Sequence, residues 1–462
     1  VVFWEFLAKK TKRVCQFLNT IILKLKNFKI MPAKDYQKVI WLEIHVRIKS
    51  ETKLFCNCKN AVELALEPNI NTCPICMWFP WMLPTVNKKA VELWVIGWMM
   101  MWCEVNKLSR FDRKTYFYPD SPLSYQITQM YEPVVWKGLV KVLVNGEVRE
   151  FAIHHMHLEN DAWKLVHAWG KTLCDYNRAW SPLMEIVTDP VFSEADEVME
   201  FLRELQKMMR AAWVSDADME KWQMRCDVNL SIMPVWSTVF GTRTEMKNLN
   251  SFSAIWRAIE SEFKRQVKIL DAWEQVQQET RWWDDEKWVS TTQRSKEDAM
   301  DYRYFPEPDL LPITLSDEYI ASLREKLPTL PIEKRLKYLN EYKLWEDDAR
   351  ILSADSELWA YFDEVVELCN DPKKACSYVT TVVLAMMKTA NIDKLSNIKL
   401  DTKSLAEVIN LINKDELSST NAKIVLEEIF ANGWDVNTIV DSKNLRQKND
   451  LGALEAIVDE IL

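Results

Sequence analysis

The sequence predicts an α+β fold, a first part mixing antiparallel strands with helices and a second part that is helical throughout. Three observations predict it. Val39–Ile48 and Arg225–Ile232 alternate apolar and polar residues with a period of two. Ser193–Arg210 and Phe252–Leu270 carry apolar stripes at helical spacing. A proline-studded stretch from Pro306 to Pro331 closes the mixed region, and only helical patterns follow it. At 462 residues the chain has room for two to four domains.

Residues 1–30 read as foreign to the rest. The chain opens on Val, and this stretch holds seven Lys/Arg against a single acid, Glu5, so the formal net charge of −9 divides into +6 here and −15 beyond. Its apolar run, Phe17–Leu25, is interrupted and too short to span a bilayer. The expected start is Met31, with residues 1–30 an upstream extension read in frame and not a transit peptide. No other stretch reaches membrane-spanning length, so no membrane association is expected. Ten cysteines without a clean signal peptide point to a reducing cytoplasm.

Along the first strand, Ile40, Leu42, Ile44, Val46 and Ile48 share one face, and Glu43, His45 and Arg47 the other. In Arg225–Ile232 the apolar set is Cys226, Val228, Leu230 and Ile232, which leaves Arg225, Asp227, Asn229 and Ser231 opposite. Thr242–Lys247 adds Arg243, Glu245 and Lys247. Three strands carrying mixed acids and bases on one side predict a polar sheet face. Between them, Ser193 is the expected cap of a helix running to about Arg210. Turns are expected at Asn370-Asp371-Pro372 and Asn432-Gly433.

The sharpest local signal is Cys56-x-Cys58, fourteen residues, then Cys73-Pro-Ile-Cys76. Two close cysteine pairs supply four thiolates at the tetrahedral geometry zinc prefers, with no open position, so the expected site is structural. A second constellation consists of Glu43, Glu159, Glu185, Asp227 and Asn229 with His45. Oxygen-rich groups of this kind bind Mg²⁺ that bridges substrate phosphates, and Arg243 and Lys247 are basic residues of the same region. Four of the five histidines fall between His154 and His167 at spacings matching no metalloprotease motif, and are expected to be strand-face or loop residues. There is no phosphate-binding glycine loop ending in Lys-Ser/Thr and no Gly-x-Ser-x-Gly elbow. Glutamine hydrolysis is therefore not expected of this chain.

The composition carries one anomaly, 7 Gly beside 22 Trp. Average usage would give about 32 Gly. Either the chain presents tryptophan platforms, as carbohydrate-binding surfaces do, or glycine codons have been written as tryptophan. Trp78, Trp81, Trp180 and Trp434 sit in turn settings where backbone freedom matters and an indole does not help, which favours the second reading. Written as Trp, positions 78 and 180 are expected to form strained turns. Trp283 is expected to be a genuine core residue.

Several long motifs occur in order: Trp41–Val46, Lys53-Leu-Phe-Cys56, Phe111-Asp-Arg-Lys-Thr-Tyr-Phe-Tyr-Pro-Asp120, Tyr125–Gln129, His157-Leu-Glu-Asn-Asp-Ala-Trp-Lys164, Asn177–Ile186, Met224–Asn229, Gly241–Phe252 and Asp301–Asp309. From Met31 nearly to its end the chain resembles the B-subunit family of the glutamyl/aspartyl-tRNA amidotransferases. That resemblance implies a catalytic cradle of the glutamine synthetase/guanido kinase type over residues 31–325 with a zinc knuckle, a helical domain over 326–395, and part of a tRNA-binding tail over 396–462. It implies ATP-dependent activation of the side-chain carboxylate of misacylated Glu-tRNA(Gln) or Asp-tRNA(Asn). Ammonia would come from a glutaminase A subunit, and a C subunit would hold A and B together in a heterotrimer.

Carried over position by position, the resemblance implies Mg²⁺ and phosphate ligands at Glu43, His45, Glu159, Glu185, Asp227 and Asn229, and Zn²⁺ at the four cysteines. Positions matching Trp41, Trp78, Trp81, Trp163, Trp180, Trp213 and Trp222 are glycine in the family. The chain departs from the family at Asn160, where a second acid is usual, and its tail is expected to stop short of the family's last helices. With −15 beyond residue 30, tRNA contact is expected from local patches such as Arg257, Lys264, Arg265 and Lys268. The alternative reading is a non-catalytic tRNA-docking or zinc-scaffold subunit with a degenerate metal site.

Overall fold

The computed structural model describes residues 35–60, 67–117, 123–133, 136–168, 170–295 and 301–447. The expected extension 1–30, the start at Met31 and the tail residues 448–462 lie outside these. In chain order the elements that position the sites are β1 (Tyr36–Arg47), α1 (Lys88–Met99), β2 (Asp112–Thr115), β3 (Tyr125–Thr128), β4 (Gly138–Val144), β5 (Glu147–Asn160), β6 (Pro182–Thr188), α2 (Ala195–Ala211), β7 (Met224–Pro234), β8 (Thr244–Lys247), α3 (Phe252–Asp271), β9 (Glu279–Asp284) and β10 (Val289–Ser295). The mixed α+β character and the helical C-terminal region agree with expectation.

Two compact units partition the chain, Val1–Ile44, Val187–Met199 and Arg225–Asp301 in the first, and His45–Ile186, Glu200–Met224 and Tyr302–Leu462 in the second. In the first unit the strand order is β10-β9-β8-β7-β1. β7 and β8 are antiparallel, with Val228 opposite Met246 and Asn229 opposite Glu245. β8 and β9 form a parallel pair, and β9 turns back on β10 as an antiparallel hairpin. Along β1 the expected alternation holds, with Leu42 and Ile44 fully buried while Trp41 and Glu43 face the other way.

The first unit's helix α3 departs from a plain apolar stripe. Ile255 and Ile259 are buried as expected, but Glu262 and Gln266 are buried with them. The Thr244 hydroxyl donates to Glu262 Oε1 at 2.7 Å, and Gln266 Nε2 donates to the Thr244 hydroxyl at 2.9 Å and to the Leu230 carbonyl at 3.2 Å. A polar network thus fixes α3 on the β7–β8 ladder, where apolar packing alone would leave its rotation loosely specified. At β7's far end Gly241 lies so close to the Ile232 carbonyl that a Cβ would sit 2.2 Å from its oxygen, which excludes every side chain.

In the second unit the order is β6-β5-β4, and β4 and β5 form a seven-pair antiparallel hairpin. A smaller antiparallel sheet joins Phe305–Pro306, β2 and β3. The helical region has its own core, centred on Tyr338, Phe362, Val365, Leu405, Ile409, Val425 and Leu426. Its helices end where the sequence predicts. Asn370 takes the left-handed conformation at one C-terminus with Asp371 capping the next helix, and Gly433 closes another. The helix expected from Ser193 is α2, which begins at Ala195; Glu197 reaches back to accept the Ser193 N–H at 2.8 Å. Among the described residues no helix is long and apolar enough to cross a membrane.

Candidate functional site

The Cys56, Cys58, Cys73 and Cys76 sulfurs all lie within 4.8 Å of one another. Zinc at about 2.3 Å from each thiolate requires mutual spacings just under 4 Å, so the four donors fit the ion. The turn that places them is held by backbone bonds, Met77 N–H to the Cys73 carbonyl at 2.9 Å and Cys73 N–H to the Cys76 sulfur at 3.1 Å. Lys53 is wholly buried beside the site. Its ammonium donates to the Asn71 carbonyl at 3.0 Å and the Tyr176 carbonyl at 3.3 Å, and lies 3.8 Å from the Cys76 sulfur. Burial pushes the Cys58 thiol up to about 11, whereas hydrogen bonding within the cluster and the Lys53 charge draw Cys76 down to about 5. Four thiols this close, one of them drawn toward ionisation, form a donor set that a divalent cation would fit.

A second cluster forms where β5 and β6 carry polar residues. Along β5, His155, His157 and Glu159 recur at every second position and share a face. His157 Nε2 lies 3.2 Å from Glu185 Oε2 and 3.6 Å from Glu159 Oε2, and His45 Nε2 lies 3.4 Å from Glu185 and 3.6 Å from Glu159. Burial alone would keep His157 neutral, but the two carboxylates outweigh it and push its pKa up to about 10. The same interaction, against the effect of burial, holds Glu185 well below the ordinary carboxylate value. His155 stacks on His157 with ring centroids 5.6 Å apart, and burial with the neighbouring imidazolium drives it down to about 4.

Lys114 on β2 completes this cluster. Burial opposes its charge, yet Glu159 and Glu185 raise its pKa, and its ammonium stands 4.9 Å from the Tyr302 ring centroid. Among the described residues the His157 Nδ1 atom is buried with no hydrogen-bond partner. The cluster therefore pairs two carboxylates with buried cations and keeps one donor in reserve. Carboxylate oxygens suit Mg²⁺; imidazole suits it poorly, so a histidine here serves better as a donor to a phosphate or a metal-bound water.

The first unit holds a third group. Lys247 pairs with Asp227 and lies 2.9 Å from Glu245, whose second oxygen accepts the Thr280 hydroxyl at 2.7 Å. Burial opposes the Lys247 charge, but Asp227, Glu245 and Glu43 raise its pKa. The β7–β8 register explains the pair, since Asp227 and Lys247 stand one step beyond the opposed Val228 and Met246. Asn229 is buried opposite Glu245, and Arg243 is exposed.

His157 is a strand-face residue, as expected, and it also joins the carboxylates of the cluster; its two-residue spacing from Glu159 is the available signal. Two residues of the expected basic patch have acidic neighbours. Arg257 makes a bidentate pair with Asp285 at 2.7 and 2.8 Å, and Arg265 pairs with Glu262 at 2.7 Å, so both charges are offset locally. Asn160 is engaged structurally, its Oδ1 accepting the Ile127 N–H at 2.9 Å.

Comparison with known proteins adds the following. Residues 38–321 match the family model described as the GatB/GatE catalytic domain, and residues 360–462 match that of the GatB domain. The B subunit of the aspartyl/glutamyl-tRNA(Asn/Gln) amidotransferase of Lachnospira eligens is 43% identical over 437 residues, covering 93% of this chain and 90% of that protein. The protein of the same name from Persephonella marina is 42% identical over 429 residues with the same coverage. That from Clostridium botulinum is 39% identical over 429 residues, again covering 93% and 90%.

Proposed function

This chain belongs to the GatB family of tRNA-dependent amidotransferase B subunits, and from that premise we propose that it converts misacylated Glu-tRNA(Gln) and/or Asp-tRNA(Asn) into Gln-tRNA(Gln) and Asn-tRNA(Asn). The enzyme is a ligase that forms a carbon–nitrogen bond. An oxygen of the aminoacyl side-chain carboxylate attacks the γ-phosphorus of ATP in line, ADP departs, and the acyl phosphate forms. Ammonia then attacks the carbonyl carbon, phosphate leaves, and the amide nitrogen loses a proton. The partners proposed are an A subunit that hydrolyses glutamine, a C subunit joining A to B, and the tRNA. A cytoplasmic location follows from this role, because charged tRNA is made and used there.

The observation that carries the reading is the buried cluster of His45, His157, Glu159 and Glu185 inside the stretch that matches the GatB/GatE catalytic domain. Mg²⁺, when bound, neutralises charge on the phosphate oxygens; Glu43, Glu159, Glu185 and Asp227 are its proposed ligands, with His45 beside them. Lys114 and His157 hold their protons at neutral pH and donate toward developing negative charge. Arg243, Lys247 and Asn229 are proposed to position the nucleotide. The cradle is read as glutamine synthetase/guanido kinase-like over residues 31–325, followed by a helical domain to 395 and the tRNA-binding tail. Zn²⁺ at the four cysteines is structural.

The test is Asp227→Ala in the assembled complex, with ammonium supplied in place of glutamine. ATP cleavage and amide formation on misacylated tRNA should fall by about 10³-fold or more. Basal glutamine hydrolysis, a property of the partner, should persist. Near-normal amide formation from ammonia would remove Asp227 from the catalytic set.

A further inference from the structure

Of the 22 tryptophans, Trp4 and Trp169 lie outside the described residues; of the others, eight have left-handed backbone, with φ between 45° and 69°. The region is nearly closed to side chains that carry a Cβ, and Asn and Asp tolerate it best. Among the described residues, the remaining non-glycine residues at positive φ agree, for seven of the eleven are Asn or Asp. None of the nineteen is Leu, Ile, Val, Phe, Tyr or Met. Among the described residues, a bulky apolar residue enters this conformation only when it is tryptophan.

Four of the eight share one hydrogen-bond pattern. Trp213 N–H donates to the Arg210 carbonyl and the next N–H, of Val214, to Met209, both at 3.0 Å; Trp273 and Glu274 do the same to Leu270 and Ile269, both at 3.0 Å. Trp78 and Phe79 repeat it on Ile75 and Pro74, and Trp222 and Gln223 on Met219 and Asp218. This paired bonding defines the left-handed position that ends a helix or helical turn, the setting in which glycine is most favoured. The same two bonds recur elsewhere in the chain around Asn391, Asp415 and Asn444.

Two more are the third residue of a type II turn. Ala179 has φ −49° and ψ 131°, Trp180 follows at φ 61°, and the Ser181 N–H closes on the Arg178 carbonyl at 3.1 Å. Phe79-Pro80-Trp81-Met82 closes at 3.1 Å between Met82 and Phe79, with proline second and Trp81 third at φ 69°. A type II turn requires positive φ at its third position, hence glycine. Trp288, at φ 57°, ends the β9–β10 hairpin loop, and Trp102, at φ 45°, follows α1. Nor does burial reward most of these indoles. Trp81 is 95% exposed, Trp213 70% and Trp273 68%.

Trp283 supplies the contrast. It lies in β9 with ordinary backbone, is fully buried, and its indole N–H donates to Asp285 at 3.0 Å. We infer that the polypeptide made in the cell carries glycine at positions 78, 81, 102, 180, 213, 222, 273 and 288 and tryptophan at 283, so that the codon at the eight positions is one its own ribosomes decode as glycine. The eight glycines follow from backbone geometry and Trp283 from its burial and hydrogen bond, independently of the proposed function.

Two experiments test this. Peptide sequencing by mass spectrometry of the protein purified from its native source should find each of the eight positions about 129 Da lighter than written, and position 283 unshifted. Indole at Trp180, Trp213 or Trp273 would overturn the inference, as would TGG codons at those positions. In a host using the standard code, the chain as written should be compared with one carrying Trp→Gly at all eight positions. The glycine form should melt higher by roughly 10 °C or more, whereas Trp283→Gly should melt lower than its parent. Equal or greater stability of the tryptophan form would sink the assignment.

Discussion

The cysteine knuckle and the histidine–carboxylate cluster both lie in the second unit, and they solve opposite problems. The knuckle gathers four groups of one kind, which repel when ionised, with Lys53 beside them. The cluster gathers groups of opposite kinds, so Glu159 and Glu185 meet His45, His157 and Lys114 and neutralise one another. On the proposed reading the first arrangement would be completed by a permanent metal ion, whereas the second already balances its own charges and would take up an ion only for the reaction. A permanent ion and a working ion would thus call for different electrostatic surroundings.

The largest effect that would separate the two sites is catalytic. Glu185→Gln should reduce amide formation by about 10³-fold while zinc content, read by atomic absorption, stays at one ion per chain as for wild type. A variant that lost zinc instead would erase the distinction. The converse substitution, Cys73→Ser, should release the zinc and lower the melting temperature by roughly 5–10 °C, with the KM for ATP unchanged.

His157→Gln should act in between. It leaves two buried carboxylates facing each other and should cost about 3 kcal/mol in the presence of chelator, with much of the loss recovered on adding Mg²⁺. The pH dependence gives a sharper form. Because the His157 pKa rises from 6.5 to about 10 on folding, its contribution to stability is complete below pH 6.5 and disappears as pH climbs toward 10. The gap in melting temperature between wild type and variant, measured in chelator, should therefore close across that window. The smallest effect belongs to Asn160→Glu. Asn160 follows Glu159 on β5, so its side chain leaves from the other face, where it holds the Ile127 N–H. The Mg²⁺ concentration for half-maximal activity should move less than about twofold; a larger move would place residue 160 at the ion.

What the sequence reveals tracks how local each signal is. Cys56, Cys58, Cys73 and Cys76 are legible because zinc ligands come in close pairs, and Glu43, His45 and Asp227 because strand alternation is written residue by residue. His157 is legible only in hindsight, its spacing to Glu159 being masked by three neighbouring histidines of no recognisable pattern. Lys114 cannot be found from its own four-residue strand, since its partners are on β5 and β6. Glu262 and Gln266 are hidden in an apolar stripe, because their partner Thr244 lies on another element. The offsetting of Arg257 by Asp285 likewise depends on a contact between α3 and the β9–β10 loop.

The seating of the knuckle bears on the order in which the protein is made. Its loop is clamped by residues synthesised much later. Asn177 accepts the Asn71 N–H and donates to the Glu67 carbonyl, across sequence separations of 106 and 110, and Tyr176 N–H donates to Asn69 across 107. All four cysteines therefore leave the ribosome, and are competent to capture zinc, while their clamp is still untranslated. At about 5–20 residues per second the wait lasts on the order of 5–20 s. During that interval a bound ion would be what keeps the loop from sampling other pairings, and the segment that finally receives it, Asp175–Asn177, leads within ten residues to Glu185. Zinc supply during synthesis would then govern the yield of correctly assembled protein, a role quite apart from the proposed chemistry.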